Sequence, residues 1–331
     1  MKYRTVSAGQ DGPVLRYCRK QLTAEPICDI IIAIARKVTA VKYLKDPRLQ
    51  IALSMTIFGT IGLFVRNIPV SSGELALYRA VLACVVIGVF LLLTRQKISL
   101  AGMGKELILL FISGAAMGVN WILLFEAYKY TTVSVATLSY YFAPVIVTLV
   151  CPVLFREKLT GKQIICFVMS TIGLALITGV GDLGQGSSHF TGILFGLGAA
   201  VFYASVVLLN KFIKCVGGIQ RSFLQFAAAI VTLIPYVILT DGVHIDVLDG
   251  GGWTLLLAVG VIHTGVTYCM YFSSLRSLPG QEAAILSYID PLVAVIISVT
   301  VLKETMNIWQ IIGGALILAF KLYNELPSKK R

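Results

Sequence analysis

Four charged or titratable residues lie inside long apolar stretches of this sequence, and they are the residues that could do chemistry there. They are Arg79, Glu126, His263 and Asp290. Such side chains are strongly unfavourable in the interior of a bilayer unless they are paired or hydrated, so each one marks a candidate site. Arg79 and Glu126 fall at similar depths, which predicts an ion pair. The alternatives are that Arg79 extends to the membrane surface or binds a substrate carboxylate.

Asp290 and His263 lie deepest. At 1.5 Å per helical residue, Asp290 is about 14 Å into its apolar segment and His263 about 15 Å into the preceding one, near the middle of a bilayer. A carboxylate and an imidazole at that depth can share a proton, which makes them proton-coupling candidates. In the alternative, Asp290 bonds backbone groups that Pro291 leaves free, and His263 is a packed, hydrogen-bonded residue.

Aromatic and polar residues at mid-segment form the second candidate set. The predicted substrate-binding residues are Asn120, Trp121, Tyr141, Tyr268, Tyr288 and Arg79. Aromatic walls bind apolar or cationic solutes without full dehydration of a charge; the alternative is that the rings only pack helices together. Paired carboxylates at working spacing, His or Cys clusters and phosphate loops are missing, and the seven cysteines are scattered. We therefore predict no catalytic residue, metal or cofactor.

An internal duplication relates many of these residues. A shift of 147 positions pairs Gly118 with Gly265, Trp121 with Tyr268, Tyr141 with Tyr288, Pro144 with Pro291 and Glu157 with Glu304. Arg79 and Asp290 are not duplicated, since Arg79 falls on Phe226 and Asp290 on Ala143. The two prolines predict symmetric kinks, which serve as hinges or as static bends. The two glutamates, beside Arg156 and Lys303, predict local ion pairs at segment ends.

Ten apolar segments must position these residues. They are roughly 49–65, 74–94, 107–128, 131–154, 162–180, 190–210, 221–240, 253–274, 281–302 and 306–323. With 331 residues, 57% of them hydrophobic and only 13% charged, the chain is too apolar for a soluble domain. Five segments per half is an odd number, so the second half enters the membrane from the opposite side. The predicted fold is all-α and integral to the membrane, with ten transmembrane helices as two inverted five-helix repeats.

Lys and Arg set the orientation. Twenty-four fall on the side of the N-terminus and only Arg66, Lys129 and Lys303 on the other, which predicts that both termini are cytoplasmic. This bias explains the net charge of +12 without nucleic acid as a partner. We predict a basic cytoplasmic segment at 1–48, with either an amphipathic surface helix at 23–45 or no defined role. The repeats are 49–180 and 190–323, the outer linker is 181–189, and a basic tail covers 324–331.

The motifs together resemble the EamA branch of the drug/metabolite transporter superfamily. The resemblance covers residues 49–323, and it rests on LALYRA at 75–80, TTVSVATLSYYFAPV at 131–145, Glu157, AAILSYIDPLV at 283–293 and LKET at 302–305. It implies ten helices with cytoplasmic termini and export or exchange of small metabolites such as amino acids, driven by an ion gradient or by the gradient of the substrate itself. We also expect the protein to lie in the cell (plasma) membrane, as a monomer or homodimer. The long basic leader departs from that pattern. The alternatives to this prediction are efflux of drugs or cationic compounds, an intramembrane enzyme and a scaffold.

Overall fold

The protein is built of helices, with no strand, in the part of the chain that the computed structural model describes: residues 46–96, 98, 104–155, 160–179, 186–240, 242–275 and 277–326. The helices are α1 (Pro47–Gly59), α2 (Ile61–Val65), α3 (Ser72–Leu93), α4 (Gly104–Tyr130), α5 (Val133–Tyr140), α6 (Ala143–Phe155), α7 (Gly161–Gly179), α8 (Gly186–Asn210), α9 (Gly218–Leu239), α10 (Gly250–Leu257), α11 (Thr267–Leu275), α12 (Gly280–Leu286), α13 (Ile289–Thr300) and α14 (Ile308–Glu325). A 3₁₀ turn spans Ile245–Val247, and a π-helical segment, Ala258–Val266, joins α10 to α11. The predicted surface helix at 23–45 and Glu157 lie outside the described residues.

Each of the ten predicted segments coincides with one helix or with consecutive helical pieces. Among the described residues, eight helical stretches are long and apolar enough to cross a membrane, from Pro47–Val65 to Glu282–Thr300. The apolar helix Gly161–Ile177 is shorter. Large side chains such as Leu92, Val153 and Leu239 are mostly exposed, as residues that face lipid are. The all-α membrane architecture is therefore confirmed, while the number of ten crossings stays a prediction.

Side-chain caps fix the start of the helices that carry the candidate residues. Ser71 and Glu74 form a capping box at α3, and Asn307 and Gln310 form another at α14. Thr132 caps α5 through a bond from the backbone N–H of Val135. These bonds satisfy N–H groups that a helix leaves free at its first turn, so α3, α5 and α14 each begin at a defined residue.

Helices of each half pack on helices of the other half, and the pairs follow a symmetric pattern. Helix α9 packs on α4 of the first half, and its counterpart α3 packs on the π-helical segment of the second. Likewise α8 packs on α4, and α1 on α11. Counterparts also meet each other directly, α3 with α9 and α7 with α14. This exchange of partners is the packing expected of two repeated halves related by a pseudo-two-fold axis.

The longest helical paths of both halves break at the same place. Tyr141 and Phe142 separate α5 from α6, and Ser287 and Tyr288 separate α12 from α13. The proline of each half, two or three residues further on, lies in the first turn of the second piece, where its missing N–H leaves no bond unmade. The predicted symmetric interruptions are confirmed, and a tyrosine lies in each of them; their use as hinges stays a prediction.

The two ends of the bundle differ in charge. We name them the cation-rich end, where α1 and α7 begin and α14 ends, and the cation-poor end, where α2 and α13 end. At the cation-rich end the Lys162 ammonium donates to the backbone oxygen of Asn324 over 3.1 Å. At the cation-poor end Arg66 forms an ion pair with Glu304. The cation-rich end is the one predicted to be cytoplasmic.

Candidate functional site

Arg79 on α3 is a buried cation without an acidic partner among the described residues. Its Nε donates to the Thr264 hydroxyl over 2.6 Å, and its guanidinium lies over the rings of Trp121 at 4.5 Å and Phe125 at 5.6 Å. The predicted pair with Glu126 is wrong, because Glu126 bonds Lys129 over 3.1 Å, one turn away on its own helix. A guanidinium has five N–H donors, so most of them remain available to a ligand.

The π-helical segment brings Thr264 to Arg79. Its wider turn lets the Thr264 hydroxyl donate to the Val259 backbone oxygen over 2.9 Å, while the hydroxyl oxygen of Thr264 accepts from Arg79 Nε. Gly260 permits the close approach of α3, because a Cβ atom there would lie 2.4 Å from a side-chain carbon of Leu82. Segments of this kind occur often at functional sites. Regular helical periodicity in the sequence gives no sign of it.

Aromatic rings continue from Arg79 across the interface between the halves. The ring of Trp121 lies 5.2 Å from that of Phe226, which lies 5.1 Å from that of Tyr268. Tyr268 also contacts Phe58 with ring centroids 5.4 Å apart. The structure thus places the repeat partners Trp121 and Tyr268 both against Phe226, itself the repeat partner of Arg79. These rings and Arg79 form what we call the aromatic wall.

Asn120, also predicted to bind substrate, has a contact that holds helices together. Its side chain is 2% exposed, and its amide nitrogen donates to the backbone oxygen of Ala199 on α8 over 2.7 Å. This bond fixes α4 against α8 directly beside Trp121. A substrate contact for Asn120 stays a prediction.

Tyr141 and Asp290 meet where the two helical breaks face each other. The Tyr141 hydroxyl donates to the Asp290 carboxylate. The Lys321 ammonium on α14 lies over the ring of Tyr141 at 4.4 Å and over that of Tyr288 at 4.6 Å. The symmetric tyrosines are therefore brought together, with Lys321 against both. We call these four residues the tyrosine–lysine cluster.

Sequence reasoning missed Lys321. It was counted with the cations of the cytoplasmic end, because it lies four residues before the end of α14. A lysine stem is long enough to bring its ammonium about one helical turn deeper than its own Cα, and here it extends towards the tyrosines. The available signal was its position directly after an uninterrupted apolar run, Ala315 to Phe320.

His263 does not share a proton with Asp290 in this structure. One ring nitrogen lies 2.8 Å from the Thr60 hydroxyl and the other 3.0 Å from the backbone oxygen of Ala258, so both are already engaged. Its ring also contacts Phe64, with centroids 4.5 Å apart. The predicted His263–Asp290 pair is wrong, because the π-helical segment presents the Ala258 oxygen to His263 and Tyr141 takes Asp290. A coupling role for either residue alone stays a prediction.

Glu304 bonds distant residues rather than neighbouring Lys303. Beyond its ion pair with Arg66, it accepts from the backbone N–H of Val133 over 2.9 Å and from the Ser298 hydroxyl. The expected local pair with Lys303 is therefore wrong for Glu304. A carboxylate at the start of α5 also interacts favourably with the positive end of that helix. Glu304 thus ties α2, α5 and α13 together at the cation-poor end.

The fold and these contacts define a multi-pass helical membrane protein made of two repeated halves, with a buried arginine in an aromatic wall between them. The EamA-like transporter family matches the sequence twice, at residues 48–179 and 190–321. The chain belongs to this family, and its function at that level is membrane transport.

Two of the relatives described here are named as transporters without an assigned substrate. The uncharacterized transporter YxxF of Bacillus subtilis is 30% identical over 276 residues, which cover 82% of this chain and 86% of the relative. An uncharacterized transporter of Archaeoglobus fulgidus is 28% identical, over 81% and 92% of the two chains. Protein PecM of Dickeya dadantii is 24% identical, over 63% and 71%. A solved crystal structure with 17% identity shows the same fold, with a TM-score of 0.59 over 84% of this chain and 97% of the other.

Proposed function

We propose that the protein is a secondary-active exporter of small organic metabolites that carry a carboxylate, such as amino acids, working by alternating access. The observation that supports this most is Arg79, whose guanidinium lies on Trp121 and bonds only a neutral hydroxyl among the described residues. A buried cation with free donors is stabilised when an anion enters, and a guanidinium pairs with a carboxylate through two parallel bonds. The aromatic wall supplies apolar contact for the rest of the solute.

The alternative, efflux of cationic compounds, has less support from the same geometry. Such compounds bind on exposed ring faces. Here the faces of Trp121, Tyr141 and Tyr288 already hold protein cations, from Arg79 and Lys321. A second positive charge at either place would meet like-charge repulsion. An anionic or zwitterionic solute fits better.

The proposed transporter moves its solute out of the cytoplasm and couples this movement to protons. In the proposed orientation both termini lie in the cytoplasm of a plasma-membrane protein, and the cation bias of the sequence supports it. Asp290, held by Tyr141, is the proposed proton carrier, with His263 as a separate candidate at the π-helical segment. Release of substrate on the far side would then be linked to a change of charge at Asp290.

Binding and transport test the proposal separately. Thermal unfolding of the purified protein is measured against amino acids, other carboxylic acids and aromatic cations, since a ligand of the folded state raises the midpoint. Stabilisation by carboxylates supports the proposal, and a broad response to unrelated aromatic cations alone would contradict it.

The best carboxylate is then followed in liposomes. Arg79→Gln should lower transport about tenfold to a hundredfold, the loss expected when one or two charge-assisted hydrogen bonds disappear. Lys129→Gln, at an exposed cation two helical turns beyond Trp121, is the matched control and should transport normally. Equal rates in both variants, or solute that emerges chemically changed, would refute the proposed carrier mechanism.

A further inference from the structure

A separate cleft opens between α6, α7 and α14 towards the cation-rich end. Its polar lining consists of Thr148, Ser170, Lys321 and Asn324, and its thiol lining of Cys166. Arg79 and the aromatic wall contribute nothing to it. The cleft therefore belongs to neither of the sites predicted from the sequence, and it needs its own explanation.

Among the described residues that line the cleft, Lys321 is the only one with a formal charge, and no described residue forms a close ion pair with it. Among the described residues its ammonium makes ring contacts with Tyr141 and Tyr288 but neither a hydrogen bond nor a close ion pair. Asp290 and Glu325 act on it only from longer range. An ammonium has three N–H donors, and ring faces satisfy them poorly compared with an oxygen anion.

Two hydroxyl groups beside Lys321 also lack partners. Ser170 has no exposed surface, and its Oγ has no hydrogen-bond partner among the described residues. The hydroxyl of Tyr288, which is 7% exposed, lacks one as well. Buried hydroxyls are ordinarily hydrogen-bonded, because an unsatisfied one is unfavourable by about 1–3 kcal/mol. Lys321 and Ser170 line the cleft, and Tyr288 has its ring against the Lys321 ammonium. Donors without acceptors at this place indicate that the site binds an acceptor.

We propose that this cleft binds an anionic oxygen group, a carboxylate or a phosphate, held by the Lys321 ammonium with hydrogen bonds from Ser170 and Tyr288. The bound group replaces the ring faces as the partner of Lys321. Because Tyr141 contacts both Lys321 and Asp290, occupancy of the cleft acts directly on the tyrosine–lysine cluster. The group comes either from a soluble anion at the cytoplasmic side or from the head group of an anionic phospholipid.

Anion-dependent stability distinguishes these sources without measuring transport. The delipidated protein in neutral detergent is heated with increasing sodium phosphate or sodium benzoate, with sodium chloride added to equal ionic strength. In a second arm, phosphatidylglycerol or uncharged phosphatidylcholine is added in mixed micelles. A saturating rise of the midpoint with phosphate or benzoate supports a soluble anion, and a rise with phosphatidylglycerol alone supports a lipid head group.

Variants assign the effect to the cleft. Lys321→Gln should abolish the anion-dependent rise. Lys162→Gln should keep it, because Lys162 lies on a tyrosine ring at the same end but donates to the backbone oxygens of Asn324 and Leu326. Ser170→Ala removes an unsatisfied hydroxyl and should fold normally, with the midpoint of the anion titration raised about tenfold by the loss of one bond to a charged group.

The proposal is overturned if none of the anions stabilises the wild type, or if Lys321→Gln and Ser170→Ala respond as the wild type does. Should Lys321→Gln fail to fold, Ser170→Ala decides alone. The result does not depend on Arg79, so failure here leaves the proposed transport function untouched, and the reverse also holds.

Discussion

Glu304→Gln is the change that best tests what holds α2, α5 and α13 together at the cation-poor end. The carboxylate of Glu304 is 8% exposed and accepts from Arg66, from the Val133 N–H and from the Ser298 hydroxyl. A glutamine keeps the shape and one acceptor oxygen but loses the charge. Bonds to a charged group are worth about 1.5–3 kcal/mol against about 1 kcal/mol for neutral ones, so the bonds from Val133 and Ser298 lose about 1–4 kcal/mol together.

The ion pair itself adds little to that loss. The side chain of Arg66 is 35% exposed, and pairs of this kind contribute about 0–1 kcal/mol after screening. Arg66→Gln should therefore lower the thermal midpoint of the purified protein less than Glu304→Gln does. The double variant should equal Glu304→Gln, because the pair is already lost.

Lys303→Gln is the matched control, since Lys303 is the exposed neighbour of Glu304. It should leave the midpoint unchanged. The reasoning is refuted if Glu304→Gln unfolds at the wild-type temperature, or if Lys303→Gln lowers the midpoint equally. The first result would mean that the three bonds do not stabilise the folded protein, and the second that the loop is sensitive to any change.

Three further outcomes are expected. Asp290→Asn should flatten the pH dependence of transport in liposomes, since it removes the titrating carboxylate that faces Tyr141 and Lys321; an unchanged profile would leave Asp290 a structural residue. Tyr141→Ala and Tyr288→Ala should each reduce transport at normal expression levels, and full activity in both would remove the tyrosines from the substrate path. Gly313→Ala should lower the thermal midpoint, because its Cβ would lie 2.3 Å from a backbone oxygen of α7, whereas Gly161→Ala, with open space around it, should not.

The sequence predicted the helices of this protein and their breaks well, because both depend on periodic and duplicated features. Apolar runs of membrane-spanning length locate the helices within a few residues, since few other arrangements hide their backbone from lipid. The aligned prolines located the two breaks, because proline restricts a helix at its own position. Both inferences need only local sequence and the repeat, so long-range packing could not overturn them.

The partners of the charged residues could not be predicted in the same way. Arg79 and Glu126 share a depth, yet Glu126 bonds Lys129 because a partner one turn away requires no tertiary arrangement. Glu304 reaches Arg66 across 238 positions, and no local pattern encodes that contact. His263 lies in a π-helical segment and bonds the Ala258 backbone oxygen rather than Asp290, a departure from regular geometry that hydrophobic periodicity does not report. Depth along a helix restricts what can meet, but rotation and packing decide what does.

The helices of the two halves are repeated, but three charged residues among them are not. Both facts constrain the proposed transport cycle. The tyrosines of the two breaks are repeat partners, and so are Trp121 and Tyr268, which means that movement of either half can present equivalent aromatic surface to the solute. The charges have apolar counterparts: Arg79 has Phe226, Asp290 has Ala143, and Lys321 has Leu174. The two halves can therefore exchange conformations during the cycle, but these charges have no counterpart in the other half. As a result, each side of the membrane meets a different electrostatic environment. In the proposed cycle this difference makes the two states unequal in their affinity for an anionic solute.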